Sequence, residues 1–281
     1  MKLKTTLRMN MMMTKIVIVG LALFTFTHAQ PIQDQDMDGV PDDIDQCLNT
    51  PFLNEVNEKG CSTKALLFPE ERDHGSLDVS IGYGFSNDEE LLDRATQHTS
   101  KFQISYYLDN WSYSLRTGYF SADDDDKGML DTTLKIKRKF KVNKNLKFGL
   151  GLGVRLPTYD FTGNNTDYTI YGSVVYYPKS ALSVFAGTTY TFINDDEVIT
   201  PLQDVQSFYT GSGYFFTRNF YANIAYSYAE SKFTTNDPSH SIISTGLYRI
   251  NDKWFTTVSY SHELTEDLKN SVNIKFGYSV W

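Results

Sequence analysis

Apolar and polar residues alternate with a period of two through most of residues 74–281. The cleanest run is Leu146-Lys147-Phe148-Gly149-Leu150-Gly151-Leu152-Gly153-Val154-Arg155-Leu156, in which every even position is apolar and every odd position is Gly, Lys or Arg. A strand gathers those apolar side chains on one face and leaves a small or charged face opposite, whereas a helix would scatter them around its circumference. Similar alternation runs through Leu77–Phe85, Phe102–Leu108, Trp111–Tyr119, Leu130–Phe140, Leu182–Phe192, Phe220–Tyr228, Trp254–Leu264 and Val272–Val280. Tyr168–Tyr177, Phe208–Phe216 and Ile242–Ile250 are apolar or aromatic on both phases, which leaves their facing open. Twelve segments result, of roughly the ten residues that a tilted strand needs to cross a bilayer.

The connections between them alternate in length. Short ones fall at Asp109-Asn110, Val142–Asn145, Pro178–Ala181, Thr217–Asn219 and Asn251–Asp252; long ones fall near 86–101, 121–129, 157–167, 193–206, 229–240 and 265–270. An even-stranded transmembrane barrel with both ends in the periplasm produces this alternation. The expected fold is therefore all-β: an up-and-down antiparallel transmembrane β-barrel of about 12 strands, preceded by a small irregular segment. A soluble sandwich or ligand-binding barrel is the alternative, and it would show shorter, less uniform strands. The terminal Trp281 resembles the C-terminal aromatic signal that the barrel assembly machinery reads in bacterial outer-membrane barrels. It stands one step out of phase with Val272, Ile274, Phe276, Tyr278 and Val280.

The N-terminal residues change the picture from a barrel to an exported barrel. Lys2, Lys4, Arg8 and Lys15 precede or open an apolar stretch, Ile16–Phe26, too short to span a bilayer. Thr27-His28-Ala29 offers a cleavage site after Ala29, so residues 1–29 read as a secretory signal peptide. The whole chain has a formal charge of −8; without those four basic residues, 22 basic face 34 acidic ones, or −12. Such an acidic chain is a poor nucleic-acid binder. The reading divides the chain into the signal at 1–29, a periplasmic segment at 30–73 and the outer-membrane barrel at 74–281.

The sharpest motif lies in the middle part: Asp34-Gln35-Asp36-Met37-Asp38-Gly39-Val40-Pro41-Asp42-Asp43-Ile44-Asp45. Calcium takes six to eight oxygens. Carboxylates at the alternate positions Asp34, Asp36 and Asp38 can converge on one point, and Gly39 permits the turn that follows. The Val40 carbonyl, Asp42 and Asp45 can complete the shell. With Cys47 and Gly60-Cys61, this stretch closely resembles one thrombospondin type 3 repeat over about residues 34–62. The resemblance implies bound calcium, and the two cysteines fit a disulfide in an oxidising compartment. Closing a loop of about fifteen residues contributes on the order of 3 kcal/mol in the chain-entropy model. A plainer reading is an acidic, solvated linker.

Enzymatic chemistry finds no support in the sequence. The histidines of the exported part are His74 in the linker, His98 and His240 in expected loops, and His262, which shares its phase with Tyr260 and Leu264 and so faces outward near the rim. No nucleophile-elbow motif accompanies them.

The lumen phase is more informative. It carries Arg116, Lys135, Lys137, Lys139, Lys147, Arg155, Lys253 and Lys275 against Asp78, Asp131 and Glu263. A net acidic chain would thus have a basic interior, with Arg116, Lys135 and Arg155 nearest its middle. In plan the chain resembles the twelve-stranded porins for acidic sugars, which line their lumen with basic residues. That likeness implies a passive channel for small anionic solutes, seated in the lipid bilayer among lipopolysaccharide. The competing expectation is a structural or adhesive surface barrel with a plugged lumen. Lys137, Lys139, Lys147 and Lys253 could equally be ordinary interface charges at the periplasmic rim.

Overall fold

The computed structural model describes residues 40–47, 50, 54–65, 75–88, 95–122, 126–160, 162–196, 200–265 and 269–280. The expected signal peptide, Asp34, Asp36, Asp38, His74 and Trp281 lie outside them.

A small hairpin comes first, β1 (Asn54–Val56) and β2 (Ser62–Ala65), paired antiparallel. Asn57 shapes its turn by accepting from the amides of Lys59 and Cys61, and Gly60 sits at φ 74°, a backbone conformation open to glycine. The Cys47–Cys61 disulfide ties the preceding segment to this hairpin, with Cα atoms 5.1 Å apart. The buried Thr50 donates to the Gly60 carbonyl at 2.6 Å, and the Gln46 amide donates to the Lys59 carbonyl.

Twelve longer strands follow: β3 (Ser76–Asp88), β4 (Ala95–Leu108), β5 (Trp111–Ala122), β6 (Lys127–Lys141), β7 (Leu146–Leu156), β8 (Asp167–Lys179), β9 (Leu182–Phe192), β10 (Val205–Thr217), β11 (Phe220–Ala229), β12 (Ser239–Arg249), β13 (Trp254–Glu263) and β14 (Asn270–Ser279). Each pairs antiparallel with its sequence neighbours, and β14 pairs with β3, so the sheet is a closed meander without edges. Closure satisfies every ladder within the sheet, as hydrocarbon requires.

All twelve segments expected from the sequence are strands, and β7 and β9 have the expected bounds. Two long connections are much shorter than expected. The stretches 86–101 and 121–129 were expected to be loops, but β3 runs to Asp88, β4 starts at Ala95, β5 ends at Ala122 and β6 starts at Lys127. These strands exceed the length of a bilayer crossing, so polar residues such as Ser86, Gln97 and Ser121 can continue the ladder into water. The short turns close through local side chains. Asn143 accepts from the amides of Asn145 and Leu146, Asn251 from Lys253 and Trp254, and Thr217 from Asn219 and Phe220. Asp109 takes a positive φ of 51° in the two-residue turn between β4 and β5, as tight hairpins demand.

The apolar face points outward. Ile81 is 63% exposed, Leu152 57% and Ile224 53%, whereas the buried apolar residues among those described are only Val40, Phe120, Ala181, Phe215 and Ala225. A water-soluble domain of this size would not leave such a belt uncovered. Aromatic residues border the belt at both ends. Trp111, Tyr113, Phe140, Phe148, Trp254 and Tyr278 stand outside near the short turns; Tyr83, Phe85, Tyr190, Phe192, Phe208 and Tyr228 stand outside near the long loops. Aliphatic side chains between two aromatic girdles are what a bilayer selects. No helix among the described residues is long and apolar enough to cross a membrane.

Candidate functional site: the barrel lumen

The inward phase starts from sequence position. On β6 the odd residues Lys135, Lys137, Lys139 and Lys141 share one face, while Leu134, Ile136 and Phe140 share the other. The outward placement of Leu134 puts the lysines inside. One cavity of about 420 Å³ occupies the short-turn half of the barrel, and Lys137, Lys139, Lys141, Lys147 and Lys275 line it. Lys141 adds to the lumen residues expected from the sequence, one step beyond the alternating run that ends at Phe140.

Nearer mid-barrel the strand register sets Arg116 (β5) beside Thr133 (β6), and Thr133 beside Arg155 (β7). Lys135 lies two residues along β6, and Lys101 on β4 pairs with Gly118 of β5. Arg116 acts electrostatically on both Lys101 and Lys135. Three cations therefore share one wall. Lys101 lies outside the sequence pattern, whose alternation on this strand begins at Phe102; its Nζ donates to Asn273 Oδ1 at 3.2 Å.

Arg155 sits in a different setting. It pairs with Asp167, whose side chain is nearly fully buried, and its Nε lies 3.9 Å from Asp131. Those carboxylates also hold loops. Asp131 accepts from the Tyr159 amide and Asn164 Nδ2, and Asp167 accepts from the Asn194 amide. Asp195 extends the chain by accepting from the Asn165 amide and pairing with Lys232 at 3.1 Å. One side of the long-loop mouth is thus laced together by ion pairs and side-chain hydrogen bonds.

Lys253 departs from the expected inward position. It belongs to the turn after β12, and its Nζ lies 5.9 Å from the ring of Tyr278, which packs outside against Trp254. A turn residue is free of the strand's alternation, and the aromatic girdle captures its ammonium. Lys137, Lys139 and Lys147, by contrast, line the cavity. Glu263 continues the inward phase of Phe255 and Thr257 at the long-loop end.

Glycine has a specific use in this lumen. An inward glycine stands beneath each of several long side chains: Gly151 under Tyr171, Gly187 under Tyr209, Gly213 under Tyr221, Gly277 under Phe255 and Gly149 under Lys137. A Cβ at any of them would collide with the ring or chain above. The small residues let large ones lie flat against the wall, which keeps the interior clear. The lysines rest over rings in the same manner, Lys147 Nζ 5.1 Å from the Tyr177 ring and Lys135 Nζ 5.4 Å from Tyr171.

His98 and His240 lie in strands β4 and β12 rather than in loops, and each meets a tyrosine hydroxyl, Tyr83 at 2.5 Å and Tyr226 at 2.6 Å. His262 Nδ1 lies 2.8 Å from Asn270 Oδ1, which also accepts from Tyr260. All three belong to the outward phase of their strands. Among the described residues no cluster of His, Cys, Asp and Glu forms a metal set. In the N-terminal segment, Val40, Asp42 and Asp45 are the expected calcium ligands that are described. Asp45 Oδ1 accepts from the Cys47 amide at 2.7 Å, while its Oδ2 is buried without a hydrogen-bond partner. A buried carboxylate oxygen left open suits a cation.

No protein-family model matches the chain, and no curated protein matches it. The fold does recur among solved structures. An outer membrane channel from Pseudomonas putida F1 aligns over 75% of this chain and 97% of its own, with a TM-score of 0.64 and 13% identity. The NanC porin aligns over 71% and 98%, with a TM-score of 0.54 and 11% identity. The KdgM porin aligns over 72% and 99%, with a TM-score of 0.51 and 16% identity. At these identities the chain shares their twelve-stranded barrel architecture, and its chemistry must be argued from its own lumen.

Proposed function

We propose that this protein is an outer-membrane channel that passes small anionic solutes, with a calcium-binding segment on the periplasmic side. The observation that carries the reading is the one-sided basic lumen: Lys101, Arg116 and Lys135 near its middle, then Lys137, Lys139, Lys141 and Lys147 toward the short turns. Rows of basic side chains favour anions in a narrow pore, and a low-dielectric wall screens them less than bulk water does. The apolar outer belt and its girdles support a bilayer position, and the short turns support a periplasmic orientation of that end. The bilayer, lipopolysaccharide and the barrel assembly machinery are the partners this location implies.

Asp34, Asp36, Asp38, the Val40 carbonyl, Asp42 and Asp45 would hold calcium, which would neutralise the acidic run and stiffen it. The ion has only a structural part in this proposal. Planar-bilayer recording of the purified barrel tests the main reading. In a potassium chloride gradient, the reversal potential should report chloride preference. Folded protein that never conducts would replace the channel with the plugged surface barrel.

A further inference from the structure

The wall facing the lysines differs in chemistry. From β9 to β13, the described inward positions carry rings, aliphatic chains, hydroxyls and amides, with Arg249 and Glu263 at the two ends. In the cavity this wall presents Phe185, Phe215, Tyr221, Leu247 and Phe255, interspersed with Ser183, Asn223, Thr245 and Thr257. Phe215 and Tyr221 pack with centroids 4.6 Å apart, seated against Ala181 and Gly213. Phe255 and Tyr209 lie over Gly277 and Gly187. Phe185, Tyr221 and Phe255 present ring surface to the cavity, with the buried Phe215 packed behind Tyr221, and Lys137, Lys139, Lys147 and Lys275 line the same cavity.

We infer that the cavity selects a carboxylate carried on a flat apolar ring, an aromatic acid of about one ring, and not merely any small anion. This rests on the anion-channel reading and narrows its substrate. An ammonium row supplies a counter-charge for the carboxylate. The ring faces opposite supply stacking and apolar contact. Phe185, Phe255 and Leu247 cannot hydrogen-bond, and Asn223, Thr245 and Thr257 are the polar side chains between them, so a sugar acid against this wall would leave part of its hydroxyls unpaired, at a cost an aromatic acid avoids. A bare inorganic anion would use the lysines and gain nothing from the rings. The cavity's volume of about 420 Å³ lies within the range of small-molecule sites.

The test is current through the full-length reconstituted barrel while benzoate, glucuronate or neutral benzamide is titrated into potassium chloride. Benzoate should reduce the open-channel current at concentrations about tenfold lower than either competitor. In the Phe185→Ser, Phe255→Ser double variant, the benzoate-to-glucuronate ratio should fall to near one. If that variant does not fold, Phe185→Leu, which keeps the apolar volume and loses the ring, should lower the ratio in the same direction. Equal potency of benzoate and glucuronate in the unaltered protein, with chloride preference present, overturns this inference and leaves the anion channel standing. A barrel that prefers potassium or carries no current overturns both.

Discussion

Ser279 donates a hydrogen bond to Asp78 at 2.6 Å, across 201 residues of sequence and inside the seam where the last strand meets the first. Both side chains are buried, and the seam continues through the Val280 amide on the Leu77 carbonyl at 2.8 Å. A buried carboxylate that loses a hydroxyl donor pays a desolvation penalty of about 1.5–3 kcal/mol. Ser279→Ala should therefore lower the thermal midpoint of the folded barrel in detergent, followed by the heat-modifiable shift on gels. Asp78→Asn should cost less than Asp78→Leu, because an amide can still accept. Equal midpoints for Ser279→Ala and the unaltered protein would remove the bond from closure.

Arg155 anchors a different part of the wall. Its pairs with Asp167 and Asp131 hold the loops at 157–166 and 193–204 through the Tyr159 and Asn194 amides. Arg155→Met would strand Asp167, whose side chain is 1% exposed, without its countercharge. A fully buried pair broken in this way costs about 3–5 kcal/mol, and the partial exposure of Arg155 reduces that to roughly 2–3 kcal/mol. Protease nicking at the long-loop end of the folded barrel should rise with the variant. The Asp167→Asn partner should reproduce the effect. A variant as stable and as resistant as the parent would mean that the loops are held by their backbone contacts alone.

Much of this was legible in the sequence, for a physical reason. A lipid-facing strand must alternate, so Leu146–Leu156 could be read to the residue. Where the outward phase turns polar the signal stops, even inside the belt: Thr96, His98 and Ser100 precede Phe102 on that face of β4, so Ala95–Lys101 reads as loop and Lys101 with it. The strands with apolar or aromatic residues on both phases, β8, β10 and β12, were the trace of the aromatic lumen wall. Tyr171, Tyr209, Phe215 and Leu247 blur the alternation because they face inward over glycines or into the cavity. Ion pairing of Arg155 with Asp167 could not be read, since it depends on the register between β7 and β8.

Membrane orientation follows from the two kinds of connection. Single cysteines at the exposed positions Asp196 and Asn236 should react on whole cells with an impermeant thiol reagent. Cysteines at Asn143 and Lys179, on the short turns, should react only after the outer membrane is opened. Labelling of the second pair on intact cells, with none of the first, would invert the barrel.

Calcium should bind the full-length protein in detergent saturably, by calorimetry, and Asp36→Ala with Asp38→Ala should abolish it. Asp45→Asn should weaken it, because Oδ2 loses its charge where it has no other partner. Reducing Cys47–Cys61 should lower the affinity, since the disulfide joins the loop to its hairpin. Extracellular calcium modules bind down to the millimolar range. Silence up to about 10 mM would leave an acidic linker.

Selectivity separates the basic residues by their setting. Arg116, Lys135 and Lys101 face one another's positive charge on adjoining strands, so each adds to a shared potential. Arg155 is offset by Asp131 and Asp167 and contributes little net field. Replacing Lys101, Arg116 and Lys135 together by Ser should lower the chloride-to-potassium permeability ratio by roughly threefold or more, because rings and rows of charge set pore selectivity. Lumen-facing substitutions tune a barrel's selectivity more than its stability, so the variant should still fold. Replacing Arg155 alone should move the reversal potential far less, while its stability falls. The contrast should fade as salt rises toward 1 M, where the screening length shrinks to about 3 Å. A triple variant that keeps the parent's reversal potential at 0.1 M would move the filter elsewhere, and the Lys137–Lys147 row beside the short turns would be the next set to replace.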